Sequence, residues 1–329
     1  MNRSKLLTGA LVIVLVLLAG GSWLLFGSST GLNFANADQY TAGDTEISSA
    51  VENLDIEWTS GAVKLEYHAG SGVTVSETAN RTLSEDEKLR WWMDGNTLRV
   101  RYCKSGLNIH FNLNKVLTVS LPEGTALKKS NIDVTSADVN VPKLAADEVR
   151  FDTTSGNVKA EISTKKLDAS STSGDMEIRQ DGDIRSAVLG STSGNITFTA
   201  AAAENVDMKS TSGGLNITLS GDVKKLHLDS TSGTILADLA SADKAEFDST
   251  SGNMDVTLQS FKDLDLDATS GNITLKLPNA PGFTLDLDAK PGNFSNSLAM
   301  EKSGSKYTYG NGSARLRIET TSGDIRIEN

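Results

Sequence analysis

The tripeptide Thr-Ser-Gly returns along this chain at a nearly constant interval. Successive steps between its glycines are 18, 20, 19, 20, 19 and 19 residues. Self-similarity at a fixed period near twenty residues is typical of stacked supersecondary units. The glycines of the seven clear copies are Gly156, Gly174, Gly194, Gly213, Gly233, Gly252 and Gly271.

Apolar residues fall into columns when the copies are aligned on these glycines. The columns lie seven and five residues before each glycine and two and four residues after it. Apolar residues two apart predict β-strands with one buried face rather than helices. Each repeat is therefore expected to be a strand, a corner at Thr-Ser-Gly and a second strand. The column two residues after glycine contains Val158, Met176, Ile196, Leu215, Ile235, Met254 and Ile273.

These units predict an all-β fold, a single-stack β-solenoid of coils about 19–20 residues long. One coil cannot bury its apolar face, whereas stacked coils share a continuous core. At a strand spacing of about 4.8 Å, seven coils give a rod of roughly 35 Å. The alternative is an antiparallel sandwich, but the constant spacing favours the solenoid.

The corner residues predict left-handed backbone. Glycine tolerates a positive φ, and the Asn or Asp that often follows it tolerates the same region. The preceding Ser and Thr hydroxyls are expected to bond to nearby backbone or to the equivalent residue one coil away.

Weaker copies extend the array at both ends. Segment 134–139 keeps the pattern with Ala137 in place of glycine, and segment 54–65 contains a good copy around Gly61. Residues 292–294 resemble a decayed corner, and 321–325 restore the full motif.

Residues Leu6 to Phe26 form a run of 21 uncharged residues behind Arg3 and Lys5. That length spans a bilayer core, and the basic tail is expected to stay cytoplasmic, so the rest of the chain would be extracytoplasmic. A cleavable signal peptide, cut near Ala35-Asn36-Ala37, is the alternative. The predicted segments are a cytoplasmic tail (1–5), a transmembrane anchor (6–26), a tether (27–44), an irregular cap with the first coils (45–130) and the regular solenoid (131–329).

Composition argues against several classes of function. A formal charge of −11 disfavours nucleic acid and anionic lipid as direct partners. The single cysteine, Cys103, excludes an intramolecular disulfide. The three histidines are isolated, and neither a nucleophile elbow nor a phosphate-binding loop occurs. We therefore predict a non-enzymatic protein without a cofactor.

A column of carboxylates lies four residues before glycine in three successive coils, at Asp229, Asp248 and Asp267. Stacking would place these like charges one strand spacing apart, where they repel one another. Weak binding of a divalent cation such as Ca²⁺ is one hypothesis, because calcium prefers clustered oxygen ligands. A solvated acidic face is the alternative, since Lys209 interrupts the column one coil earlier.

Trp58, Trp91 and Trp92 are candidates for contact with a partner or a glycan. A solenoid needs an atypical terminal unit to cover its core, and the irregular segment 45–130 is suited to this role. Trp91 and Trp92 are predicted to plug the core end, with a stacking platform for a sugar as the alternative.

The C-terminal residues 325–329 are expected to leave a final strand at a sheet edge. Unpaired edges invite pairing with another chain unless charges protect them. Arg326 and Glu328 would supply that protection, and end-to-end self-association is the alternative.

The units at 264–275 and 321–327 are similar to a bacterial β-strand repeat family of unknown function with adhesin-like members. With its basic tail and single anchor, the chain resembles the membrane-anchored members that are encoded with a Lia-type envelope-stress system in Gram-positive bacteria. The resemblance covers roughly residues 50–329. It implies a β-solenoid outside the membrane and a link to cell-envelope stress, and it implies no catalytic residues.

Two functions of different class follow from these observations. The first is a membrane-anchored scaffold that binds an envelope protein or cell-wall component and acts in envelope-stress sensing or response. The second is an adhesin or glycan-binding module that uses the coil faces or the tryptophans.

Overall fold

The structure is a computed structural model, and it describes residues 33–106, 113–289, 292–304 and 306–329. Over these residues the chain is almost entirely β, and its helical elements are two single 3₁₀ turns, Ala37–Gln39 and Glu85–Glu87. The apolar segment 6–26 lies outside the described residues. Within them, no helix is long and apolar enough to cross a membrane.

The strands form one continuous hydrogen-bonded system. In chain order they are β1 (Thr41–Ala42), β2 (Thr45–Ile47), β3 (Asn53–His68), β4 (Val73–Ala79), β5 (Arg90–Asp94), β6 (Thr97–Arg101), β7 (Lys115–Pro122), β8 (Ala126–Thr153), β9 (Val158–Ser171), β10 (Met176–Gln180), β11 (Ile184–Ser191), β12 (Ile196–Ala200), β13 (Ala203–Ser210), β14 (Leu215–Ser230), β15 (Ile235–Ser249), β16 (Met254–Ser270), β17 (Ile273–Lys276), β18 (Phe283–Ala289), β19 (Phe294–Asn296), β20 (Glu301–Ser303), β21 (Lys306–Tyr309), β22 (Ala314–Ser322) and β23 (Ile325–Glu328).

Each coil contributes one stretch to each of two parallel sheets. We call the sheet built from residues before the corner the pre-corner sheet, and the other the post-corner sheet. Their registers follow the glycine alignment: in the post-corner sheet Met176 pairs with Val158 on one side and with Ile196 on the other. The predicted β-solenoid is confirmed over the described residues, because parallel in-register pairing between coils excludes an antiparallel sandwich.

The apolar columns form one core that runs along the whole stack. Residues of the column two after glycine, from Val158 to Ile273, are at most 2 % exposed. Each coil therefore rests on its neighbours, and its own strands bury little without them.

Close backbone contact, rather than left-handed geometry, explains the glycine column. A Cβ built on Gly194 would lie 2.0 Å from the carbonyl oxygen of Gly174, and one built on Gly213 would lie 2.0 Å from that of Gly194. Among the seven repeat glycines only Gly271 has a positive φ, at 150°. The prediction of left-handed corners was therefore wrong, because successive corners stack with no room for a side chain.

The residue after each glycine builds a ladder along the corners. The backbone N–H of Asn195 donates to Oδ1 of Asp175 at 2.7 Å, and that of Gly214 donates to Oδ1 of Asn195 at 2.9 Å. The Asn and Asp side chains are therefore selected as acceptors for the next coil. Inside the corner, hydroxyls three residues before glycine close the turn; Ser171 Oγ donates to the Gly174 carbonyl at 2.6 Å.

The C-terminal coil is not at the end of the stack. Strand β22 lies between β16 and β18, and Leu316 pairs with Leu264 on one side and with Leu285 on the other. Strand β23 lies in the same way between β17 and β19. The expectation that the last strand forms a sheet edge was therefore wrong. The coil of β18 and β19 leaves a space one coil wide, which β22 and β23 fill.

The N-terminal end is interleaved in the same manner. Ile56 of β3 pairs with Val100 of β6 on its outer side and with Ile132 of β8 on its inner side. Beyond β6 and β7, antiparallel pairs add β5 and β1 to one sheet and β4 and β2 to the other. These short antiparallel additions extend both sheets beyond the outermost coil.

The predicted tether 27–44 was too long. From residue 33 onward the chain already packs on the fold: Phe34 contacts the ring of Tyr40, with centroids 4.7 Å apart, and β1 pairs with β5. The polar composition of 27–44 predicted a tether, although Phe34 and Tyr40 lie within this segment.

Gly194→Ala should destabilise the fold by about 3 kcal/mol, because its Cβ would force successive corners apart. Gly190→Ala is the matched control, since a Cβ there meets nothing within 4 Å and the φ of Gly190 is not positive. Urea unfolding of the purified chain measures both variants. Equal stability of the two variants would show that close contact between the backbones of successive corners is not the reason why glycine is needed there.

Candidate functional site

The outer face of the pre-corner sheet carries a strip of carboxylates. Asp229 pairs with Asp248, Asp248 with Asp267, and Asp267 with Glu319 of the interleaved coil. We call these four residues the acidic strip. The stacking of the three aspartates is as predicted, whereas Glu319 was missed because it is distant in sequence. Its position four residues before Gly323 was the signal that could have revealed it.

Cationic side chains flank the acidic strip. His227 places Nδ1 3.1 Å from Oδ1 of Asp207 and Nε2 3.2 Å from Oδ2 of Asp248. These hydrogen bonds raise the pKa of His227 to about 9, so its imidazole is charged at neutral pH. Arg317 bridges Asp265, at 3.1 Å, and Glu319. Isolated in sequence, His227 acquires its role only because coils stack.

Asp267 is the most perturbed member of the strip. Burial, followed by the charges of Glu319 and Asp248, raises its pKa to about 6. Burial and the charge of Asp248 also raise the pKa of Asp229. Stacked like charges in a partly desolvated column disfavour ionisation, so the strip opposes folding at neutral pH.

The strip does not converge on a point. Neighbouring carboxylates project from adjacent strands, roughly 4.8 Å apart, in a row along the sheet. Among the residues that the structure describes, no group of three or more His, Cys, Asp or Glu side chains could hold a metal ion. Cation binding by Asp229, Asp248 and Asp267 therefore stays a prediction, supported only by the pairing of these residues in successive coils.

Asp267→Asn should stabilise the protein by about 1 kcal/mol near neutral pH, after allowance for solvent screening. The pKa of Asp267 is raised in the folded state. The protonated Asp267 of the wild type therefore costs no stability below the unfolded pKa near 3.8, and its ionisation destabilises the fold as the pH rises through about 6. The gain should be largest above pH 6 and small near pH 4, as thermal unfolding across this range would measure.

Asp263→Asn is the control on the same strand, because Asp263 contacts Arg315 at 3.2 Å instead of another carboxylate. It should give no stabilisation at any pH. Equal stabilisation by both variants would contradict the proposed repulsion within the strip.

Trp58 is buried and cannot contact a glycan. It is 2 % exposed, and its ring packs edge-on against Tyr102 with centroids 4.9 Å apart. The ammonium of Lys115 lies 4.8 Å from the Trp58 ring and 2.7 Å from Oε2 of Glu77. Trp58 thus belongs to a buried cluster at the N-terminal end, and its assignment as a contact residue was wrong.

Trp91 and Trp92 point in opposite directions from β5. Trp91 is opposite Val100 and packs against the core, in agreement with the predicted plug. Trp92 is opposite Arg99 on the outer face, is only half-buried, and packs on Tyr40 with ring centroids 5.6 Å apart. Of the three tryptophans, Trp92 is therefore the one on the outer face, beside Arg99 and Tyr40.

Lys115→Met should destabilise the protein by about 3–5 kcal/mol, because it leaves the buried Glu77 carboxylate without its cation. The double variant Lys115→Met/Glu77→Gln should regain a large part of this loss, since no charge then remains buried. Urea unfolding of both variants measures the difference. A double variant no more stable than the single one would contradict this account of the pair.

Other reactive groups lie apart from one another. Cys103 is buried, which raises the pKa of its thiol to about 11, and its Sγ contacts the carbonyl of Lys104. The His68 ring hydrogen-bonds within its own turn, to the Gly72 carbonyl and to the Gly70 N–H. An open groove of about 400 Å³ surrounds Gln180, whose amide is fully used on backbone groups. In the described residues these groups form no nucleophile–base pair.

The Toastrack DUF4097 family profile matches residues 51–263 and 248–328. The chain belongs to this family. The chain matches no curated protein.

Among the solved structures similar to this chain are three that each cover 88 % of it. A candidate adhesin from Parabacteroides merdae is 12 % identical over 96 % of its own length, with a TM-score of 0.46. A candidate lipid-binding protein from Parabacteroides distasonis is 19 % identical over 96 % of its length, with a TM-score of 0.44. A candidate cell-adhesion protein from Clostridium sporogenes is 11 % identical over 99 % of its length, with a TM-score of 0.21.

Proposed function

We propose that the protein is a non-enzymatic interaction scaffold, anchored in the membrane by residues 6–26, whose β-solenoid acts outside the cell in the envelope-stress response. The acidic strip is the observation that carries the proposal. Its carboxylates are held in register on adjacent strands, and they do not converge as a catalytic site would.

The energetics of the strip favour a basic partner. Asp229, Asp248 and Asp267 repel one another in partly buried positions, and His227 and Arg317 offset only part of this repulsion. A positively charged partner would relieve the remaining repulsion between the aspartates. The fixed spacing of the carboxylates would make its binding specific. An envelope protein or cell-wall component with a basic surface fits this face.

The setting of the scaffold is supported by the sequence. The uncharged run 6–26 behind a basic tail supports an anchor with the solenoid outside. The resemblance of the whole chain, with its basic tail and single anchor, to the membrane-anchored members encoded with an envelope-stress system supports the cellular role.

A capture experiment on the full chain in its own membrane tests the scaffold. The triple variant Asp229→Asn/Asp248→Asn/Asp267→Asn should lose the protein that cross-links to the wild type. The matched control is Glu161→Gln/Glu177→Gln/Asp238→Asn, which removes three exposed carboxylates from the post-corner sheet and should retain the partner. Loss in both variants, or in neither, would contradict recognition through the strip.

An adhesin or cell-wall-binding module is the second candidate, and the outward ring of Trp92 favours it. Trp92, Tyr40 and Arg99 form an aromatic and cationic surface of the kind that stacks on sugars. Purified cell wall should then retain the wild type and release Trp92→Ala. Recovery of wall polymer without any protein partner would favour this function over the scaffold.

A further inference from the structure

The interleaved coil lies between two coils that follow one another directly in the chain. Strands β22 and β23 sit between β16/β17 and β18/β19, which are consecutive in sequence. The chain reaches this position through residues 297–313, which contain the antiparallel pair β20 and β21. The coil is therefore a strand pair whose neighbours on both sides are set by pairing and not by order in the chain.

The contacts that hold this coil are those of the general repeat. Ile325 stands in register between Ile273 and Phe294. The corner ladder also passes through it: the Asp324 N–H donates to Oδ1 of Asn272 and the Asn293 N–H donates to Oδ1 of Asp324, both at 2.9 Å. None of these contacts depends on which copy of the chain supplies the coil.

Two ion pairs restrict the occupant to this coil. Arg315 lies 3.2 Å from Asp263, and Arg317 lies 3.1 Å from Asp265. The residues aligned with Arg315 and Arg317 are Lys244 and Glu246 in β15, the other neighbour of β16, and no repeat from Gly156 to Gly271 carries arginine at both positions. Only another copy of residues 314–328 would bring the same pair of arginines to β16.

We propose that two copies of this chain exchange residues 314–328 reciprocally, so that the C-terminal coil of each fills the gap in the other. The exchanged dimer keeps the strand pairings of the interleaved coil, which makes such swaps inexpensive. The connecting segment contains Gly304, Gly310 and Gly312, all with positive φ, where the chain can change direction. Dimerisation would then depend on concentration.

Paired cysteines on the full chain test the exchange. Thr274→Cys/Arg326→Cys places thiols on partners of β17 and β23, at a separation suited to a disulfide. Leu236→Cys/Asp255→Cys is the matched control: it uses the same column, three residues after glycine, in coils that are consecutive in both sequence and space. Both variants keep the buried Cys103.

Each variant is refolded at increasing concentration, oxidised and separated on a non-reducing gel. The first pair should give a covalent dimer whose fraction rises with concentration, and the control should give only internally cross-linked monomer. Oxidation of the same variants in cells should reproduce this difference. Internally cross-linked monomer alone from the first pair, or equal dimer from both pairs, would overturn the proposal.

Discussion

The contact between the backbones of successive corners is the constraint on which the rest of this structure depends. A Cβ at most repeat glycines would lie about 2 Å from a carbonyl oxygen of the preceding coil, as at Gly194 and Gly213. Corners packed this closely leave one register between coils, because any slip would move a side chain into the contact. The Asn and Asp ladder and the inward serine hydroxyls then satisfy the polar groups of the corner.

Fixed register determines the chemistry of the outer faces. Residues at the same offset from glycine become neighbours whatever their separation along the chain, so Asp267 meets both Asp248 and Glu319. Repetition therefore concentrates like charges, and their burial raises the pKa of Asp267 to about 6. His227 and Arg317 offset part of the repulsion. The outer face of the pre-corner sheet therefore holds charge at regular spacing.

The two ends of the stack solve the problem of the exposed core by the same topology. At each end, one strand lies between two others that are not its direct neighbours in the chain order. At the N-terminal end β3 lies between β6 and β8, and at the C-terminal end β22 lies between β16 and β18. The N-terminal end adds a buried ion pair between Lys115 and Glu77, enclosed by aromatic rings. Interleaving joins residues that are far apart in sequence, so each end is held by long-range contacts.

Much of the fold was predictable because periodicity is a local property. The spacing of Thr-Ser-Gly and the columns from Val158 to Ile273 determined strands, corners and the stacking of Asp229, Asp248 and Asp267. Sequence reasoning mistook the reason for glycine, the exposure of Trp58 and the position of the last strand. Every coil carries the same pattern, so the pattern alone cannot state which coil lies beside which. The sequence thus determined the repeating unit, and only the tertiary structure decided the order of the coils at both ends, because that order depends on which gap each end coil can fill.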